Sequence, residues 1–390
     1  MTKPPAAGRP FVLAAGGFAV GTSAFVVSGV LPAVSAELDV SLSTAGQLAT
    51  AFALSSAVGA PLMATLTRRW ERRTLLIAAL LLAALGDLIA AAAPNYVTLL
   101  AGRIVAALGV ATYTPAASLF ATGLLPPQLR GRALAVVFGG LTFALALGVP
   151  AGSLLSDAVG YRPVFALLAT VSLLAATAVR AVLPRLDAPP TADPRVRSAG
   201  SVVDRRAQVV LAMTVLSVLA TMSVYTYVVP LLERTAHLTG TVVGALLLLY
   251  GAGAVLGNWL GGHATDRFGS LRTLLVALAG FTLASATLPL TAVSVGGAAL
   301  ALFVWSTFTW AFNPAAQDLL LPPGSNGGLL LALNGSAIYL ATAVAAIVGG
   351  VVIQLLSIQL LPLLAAALGA AALGLLLALR GDPRRRAADG

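Results

Sequence analysis

A chain of 390 residues that is 59% hydrophobic and only 9% charged, with a mean hydropathy of +0.96, is too apolar for a water-soluble protein; a globular domain is nearer half apolar and a quarter charged. The absence of cysteine excludes disulfides, thiolate metal sites and a cysteine nucleophile. A net charge of +10 raises nucleic-acid binding as a reading, and the placement of the basic residues argues against it.

A helix needs about 20 apolar residues to cross roughly 30 Å of hydrocarbon, and twelve such spans are predicted. The first six cover 11–34, 44–66, 75–93, 97–120, 131–154 and 163–183. Span 1 follows Lys3 and Arg9 and ends near Ala33-Val34-Ser35-Ala36, a loose likeness to a cleavable signal peptide. Its apolar run exceeds the usual h-region of about 7–15 residues, so it is read as a retained helix. Segment 184–206 carries four prolines, three aspartates and five arginines with no apolar run, and is read as a cytoplasmic linker. The remaining spans are 207–231, 241–263, 273–293, 297–318, 328–353 and 358–379, the last two being the hardest to separate.

With twelve spans, 20 of the 23 basic residues fall on one side. They include Arg68, Arg69, Arg72 and Arg73 after span 2, Arg130 and Arg132 after span 4, and Arg267 and Arg272 after span 8. Only Arg162 and Arg234 fall opposite, and Arg103 lies inside a span. Basic loops stay in the cytoplasm, so both termini are predicted cytoplasmic. The charge is a topology signal, and no nucleic-acid partner is expected.

Four features recur at an offset of 198 residues: Pro32 with Pro230, Gly59 with Gly257, Arg69 with Arg267, and Gly152 with Gly350. Each pair occupies the same place in the helix order, which single coincidences of Gly or Pro would not do. The predicted architecture is an all-α membrane protein: a six-helix bundle over 1–183, the linker 184–206, and a second six-helix bundle over 207–390 in the same orientation. Parallel repeats of this kind place a substrate site at their interface near the midplane.

The loop Gly262-His263-Ala264-Thr265-Asp266-Arg267-Phe268-Gly269-Ser270-Leu271-Arg272 resembles the G-x-x-x-D-R-x-G-R-R signature of the major facilitator superfamily. Its first-half counterpart, Thr67-Arg68-Arg69-Trp70-Glu71-Arg72-Arg73, has Arg68 for the acid and Glu71 for the glycine. Gly21-Thr22-Ser23-Ala24-Phe25 with Gly29-Val30-Leu31-Pro32, and Gly59-Ala60-Pro61-Leu62, resemble spans 1 and 2 of the drug:proton antiporter branch. Leu100-Ala101-Gly102-Arg103 is similar to the span 4 signature with its buried arginine, and Gly139, Gly140, Gly148, Pro150 and Gly152 to the span 5 antiporter motif. Gly160-Tyr161-Arg162-Pro163-Val164-Phe165 resembles the start of span 6, and Asn334 with Gly349-Gly350 resembles span 11. The resemblance implies a twelve-helix bacterial efflux carrier, similar to chloramphenicol and sugar exporters, that is not an enzyme. It implies a conformational latch at Asp266, Arg267, Gly269 and Arg69. Related antiporters often carry an acid in span 1 near Ala24, and this chain does not.

Charges inside a span are costly and usually functional. Counting 1.5 Å per residue, Asp87 in span 3 and Arg103 in span 4 reach similar depths, so they are candidates for a proton-switchable ion pair or for a static one. Burial favours the neutral carboxyl and a nearby guanidinium the ionised one; displacing the cation would admit a proton. The span 5 glycines give a thin face for close helix approach, and Gly253, Gly257 and Gly261 line one face of span 8, for sliding or for ordinary packing. Phe25, Tyr113, Tyr225, Tyr227, Trp305, Trp310, Asn313, Asn334 and Tyr339 are candidate lining for a substrate cavity, which needs apolar walls with a few polar anchors. His237 and His263 lack paired ligands, so no metal site or cofactor is expected.

The sequence lacks H-E-x-x-H, G-x-S-x-G and G-x-x-x-x-G-K-[ST], which argues against the corresponding metallopeptidase, hydrolase and ATP-driven chemistries. The expected activity is proton-coupled antiport of a small amphipathic compound in a bacterial-type inner membrane. A metabolite carrier for a sugar or nucleobase, and a receptor without transport, are the alternatives. The expected partners are a small-molecule substrate, protons and the lipid bilayer, with a monomer as the working unit.

Overall fold

A computed structural model of the chain describes residues 9–185, 204–236, 238, 240–322 and 326–380. Most of the linker, His237 and both chain ends lie outside the described residues. The described residues form helices α1 (Arg9–Phe25), α2 (Val27–Glu37), α3 (Leu42–Leu66), α4 (Arg72–Ala91), α5 (Tyr96–Leu124), α6 (Arg130–Phe143), α7 (Val149–Val159) and α8 (Tyr161–Val182). They continue with α9 (Arg205–Tyr225), α10 (Val228–Ala236), α11 (Gly240–Phe268), α12 (Ser270–Thr291), α13 (Val295–Leu319), α14 (Gly327–Leu355) and α15 (Leu361–Arg380).

Among the described residues, eleven helical segments are long and apolar enough to cross a membrane, and α1 with α2, bent by 52°, make a twelfth if counted as one broken span. These segments coincide with the twelve predicted spans. Spans 11 and 12 separate at Ser357, whose hydroxyl accepts from the amide of Gln359 and starts a short 3-10 turn. At four helix starts a side chain satisfies an orphan amide: Ser41 accepts from Thr44, Asn95 from Thr98, Asp204 from Ala207 and Ser294 from Gly297.

Three spans are broken: spans 1 and 7, which the sequence reads as continuous, and span 5, whose glycines and Pro150 point to an interrupted hydrogen-bond ladder. Span 1 breaks at Val26 and span 7 at Thr226–Tyr227, near-equivalent places in the two repeats. Span 5 passes through a π-helical segment, Ala144–Gly148, between α6 and α7. Pro150 just beyond has no amide to give the preceding turn, and a single-turn π-bulge, rare elsewhere, accommodates such a loss inside an α-helix.

Two compact units divide the chain: residues 1–196 with 326–340, and 197–325 with 341–390. In the first, α5 packs on α3 and α4, and α8 on α4 and α1; in the second, α13 packs on α11 and α12, and α15 on α12 and α9. The 198-residue offset survives as contacts. Gly59 meets Leu108, and Gly257 meets Thr307; Gly152 meets Val26, and Gly350 meets Tyr227. Each glycine therefore receives the corresponding helix of its own repeat.

Candidate functional site

Asp87 and Arg103 are the only fully buried charged residues among the described ones, both 0% exposed. Arg103 Nη1 lies 3.3 Å from Asp87 Oδ1. Their approach begins with backbone packing. Each charged residue follows a glycine, Gly86 or Gly102, and these glycines face one another where α4 and α5 touch. Gly109, one further step along α5, meets the backbone of Ala79 and Ala83 in the same way. Without side chains in the way the helix axes close up, and the two charges arrive within hydrogen-bonding reach.

Ser23 of α1 completes the cluster, and its role was not legible in the sequence. Its hydroxyl donates to Asp87 Oδ1 at 2.9 Å, and its backbone carbonyl accepts from Arg103 Nη2 at 2.6 Å. The guanidinium also lies over two rings, 4.4 Å from the Phe52 centroid and 5.4 Å from that of Phe165. Tyr339 meets Phe52 edge-on at 6.3 Å. Asp87 Oδ2 and Arg103 Nε are buried and find no hydrogen-bond partner among the described residues. The carboxylate is only four residues, about 6 Å along the axis, from Ala91 at the end of α4, so the cluster sits toward the ends opposite the arginine-rich ones.

The span 5 glycines lie along α1 up to its break. Gly140 meets Ala14 and Phe18, Gly148 meets Thr22, and Gly152 meets Val26. Gly139 is half-buried, its carbonyl accepting from Thr142, and the side chain of Pro150 is outside the described residues. Gly253, Gly257 and Gly261 face the carbonyls of Phe303, Thr307 and Ala311 on α13, a continuous backbone seam.

At the arginine-rich ends, Gly269 has φ +82° and ψ 156°, a region essentially reserved for glycine, and turns α11 into α12. Glu71, at the equivalent place in the first repeat, has ordinary backbone angles and caps α4 by accepting from the amides of Arg73 and Thr74. Asp266 is half-buried; Arg69 and Arg267 are exposed, Arg267 over the Phe268 ring at 5.3 Å. Asp318, unremarked in the sequence, accepts a hydrogen bond from Ser270. Arg72 donates to the carbonyl of Leu119, and Arg73 to those of Arg180 and Leu183, so these arginines close helix ends.

The aromatic candidates separate into groups. Tyr225, Trp305 and Trp310 gather around Tyr250: Tyr225 stands 4.7 Å and Trp305 5.6 Å from its ring, and Trp310 Nε1 donates to its hydroxyl at 3.4 Å. Trp305 is completely buried and donates to Ser285. Tyr113 is also completely buried, its hydroxyl on the carbonyl of Leu13, so the structure places both in packed interior. Tyr227 lies against Gly349 and Gly350, Phe25 and Asn313 are half-buried, and Asn334 is buried.

Residues 13–322 match the Major Facilitator Superfamily. The chain is 35% identical over 347 residues to the inner membrane transport protein YdhP of Escherichia coli K12, covering 88% of each. It is 28% identical over 389 residues to the chloramphenicol efflux pump MT0201 of Mycobacterium tuberculosis, covering 93% of this chain and 90% of that one. A chloramphenicol resistance protein of Streptomyces lividans is 36% identical over 260 residues, 66% of each chain. Among solved structures, the transporter FucP in its outward conformation superposes with a TM-score of 0.74 at 18% identity, covering 94% of this chain and 98% of that one. The human organic anion transporter MFSD10 gives 0.77 at 17% identity, covering 96% and 100%. Span number, repeated packing and sequence relationship agree: the chain is a multi-span membrane transporter belonging to the Major Facilitator Superfamily.

Proposed function

We propose that this chain is a proton-driven exporter of small amphipathic compounds, working by alternating access in a bacterial inner membrane with both termini cytoplasmic. The observation that carries the reading is the buried Asp87–Arg103 pair with Asp87 Oδ2 unpartnered among the described residues. A transporter keeps a carboxylate out of water at a desolvation cost of several kcal/mol, and such a cost is expected where the carboxylate must exchange a proton. Oδ1 is held by Ser23 and Arg103, so Oδ2 is the atom open to protonation. In the proposed cycle a proton enters from outside onto Oδ2, Arg103 loses its counter-charge, and the proton is later released to the cytoplasm as substrate leaves outward. The relatives that carry chloramphenicol efflux or resistance in their names support export over uptake.

The test uses proteoliposomes loaded with a pH-sensitive dye and presented with chloramphenicol and a panel of other amphipathic drugs. Wild type is expected to couple drug movement to proton release and Asp87→Asn to lose it. Undiminished proton-driven transport by Asp87→Asn would remove Asp87 from the coupling. A panel without any transported compound would overturn the substrate class.

A further inference from the structure

The break in the first span and the buried ion pair meet at one residue. α1 ends at Phe25, α2 begins at Val27, and the two are bent by 52°. The amide of Val26 still reaches the carbonyl of Thr22, and those of Gly29 and Val30 reach Val26. Between these bonds lies the carbonyl of Ser23. Its regular helical partner, four residues on, is the amide of Val27, the first residue past the break. That carbonyl accepts from Arg103 Nη2 at 2.6 Å, the shortest contact the guanidinium makes to this cluster. A guanidinium gripping a carbonyl at a kink is a brace, because an inserted donor substitutes for the bond that a straight helix would make.

We propose that Ser23 is the positioning residue through which the Asp87–Arg103 pair controls the bend of the first span. The proposal rests on the proton-coupled reading above and adds what the proton moves. With Asp87 ionised, Oδ1 holds both the Ser23 hydroxyl and Arg103 Nη1, which fixes the guanidinium where Nη2 meets the carbonyl. A proton arriving on Oδ2 neutralises the carboxylate and removes that anchor. The guanidinium then draws back toward the faces of Phe52 and Phe165, which already lie within cation–π range. Released, the Ser23 carbonyl returns to the amide of Val27 and the span straightens. The only covalent bond that forms or breaks is the O–H on Asp87, made with the arriving proton; the other changes are exchanges of hydrogen bonds.

The groups facing this switch are few. Ser23 from α1 and Arg103 from α5 are the polar partners of the carboxylate; α3 and α8 contribute Phe52 and Phe165; Tyr339 from α14 is the further titratable group that interacts with Arg103. The segment that would swing, α2, is held at its far end by Glu37, whose carboxylate accepts from the Tyr161 amide at 3.1 Å and from Arg162 Nη1 at 2.6 Å. The packing along α1 ends at the same point: Gly148 receives Thr22 and Gly152 receives Val26.

The chain has no cysteine, so spin labels can be placed without background. Labels at Phe11→Cys and Ala36→Cys, both exposed, bracket the break. At 1.5 Å per residue these positions are about 34 Å apart across the bend and about 38 Å apart along a straight helix. The distance, measured by electron spin resonance in liposomes, is expected to lengthen by about 4 Å between pH 8 and pH 5.5 in otherwise wild-type protein. Asp87→Asn is expected to give the long distance at both pH values. Ser23→Ala, which keeps the carbonyl and loses the hydroxyl, is expected to displace the midpoint of the change by about one pH unit, with Ser23→Thr restoring it. One unchanging distance in wild type and in Asp87→Asn, with proton-driven efflux lost in Asp87→Asn, would overturn the role of Ser23 and leave the proton site standing. Proton-driven efflux retained in Asp87→Asn would overturn the reading on which the inference rests, whatever the distances show.

Discussion

Gly86 and Gly102 lie so close that a Cβ on the first would sit 2.6 Å from the carbonyl oxygen of the second, and a Cβ on the second 2.7 Å from that of the first. The obstruction is backbone on both sides, so no rotamer change can relieve it. This contact determines whether Asp87 meets Arg103.

Gly86→Leu or Gly102→Leu should therefore separate α4 from α5 and strand two buried charges. Uncompensated burial of this kind costs about 3–5 kcal/mol. The expected outcome is loss of monodisperse protein in detergent and of transport. Gly244→Ala in α11 is the control, since nothing lies within 4 Å of the Cβ it would add, and it should leave both unchanged.

Removing one charge should harm the fold more than removing both. Asp87→Leu leaves Arg103 buried without its counter-ion, and Arg103→Met leaves Asp87 so; each should lower thermal stability by about 3–5 kcal/mol. The double variant Asp87→Leu with Arg103→Met should recover most of that loss and remain inactive for proton-coupled transport. Thermal unfolding in detergent across the four-member cycle checks this, and additive losses would refute the pairing energy.

The two glycines with positive φ among the described residues should resist substitution for conformational reasons. Gly160 has φ +84° and ψ 177°, and Gly269 has φ +82° and ψ 156°, and an L-residue there costs about 1–3 kcal/mol. Gly160→Ala should be the worse, because its Cβ would also strike the Glu37 carboxylate, while the Cβ of Gly269→Ala meets open space. The ordering of the two melting temperatures is the measurement.

Glu37 and Arg162 form an ion pair between α2 and α8. Arg162 Nη2 also donates to the carbonyl of Ala93 at 3.2 Å, joining the ends of α2, α4 and α8. Both side chains are partly exposed, 42% for Arg162 and 30% for Glu37, so solvent screens the pair and Glu37→Gln should cost less than about 1 kcal/mol. The cost should shrink further in high salt, as read from melting temperature at two ionic strengths.

The membrane class, the spans and the repeat were all legible in the linear chain. Span length is set by bilayer thickness, and a duplicated gene leaves glycines at a constant offset, so Gly59 and Gly257 point to one another without coordinates. Asp87 and Arg103 stood out because charge within hydrocarbon is rare. Gly86 and Gly102 carried a signal that small-residue spacing could have revealed, since Ala79, Ala83, Gly86 and Ala90 mark the same face of α4. Tyr250 and Asp318 had no local signature; each acquires its importance from a helix distant in sequence.

Order, number and apolarity of helices were decided by the sequence alone, because hydrophobic thickness acts on each segment independently. The break at Val26, the capture of the Ser23 carbonyl by Arg103 and the full burial of Tyr113 and Trp305 were decided by tertiary structure. Those depend on which backbones approach within a glycine's reach, a property of pairs of helices that no single segment encodes.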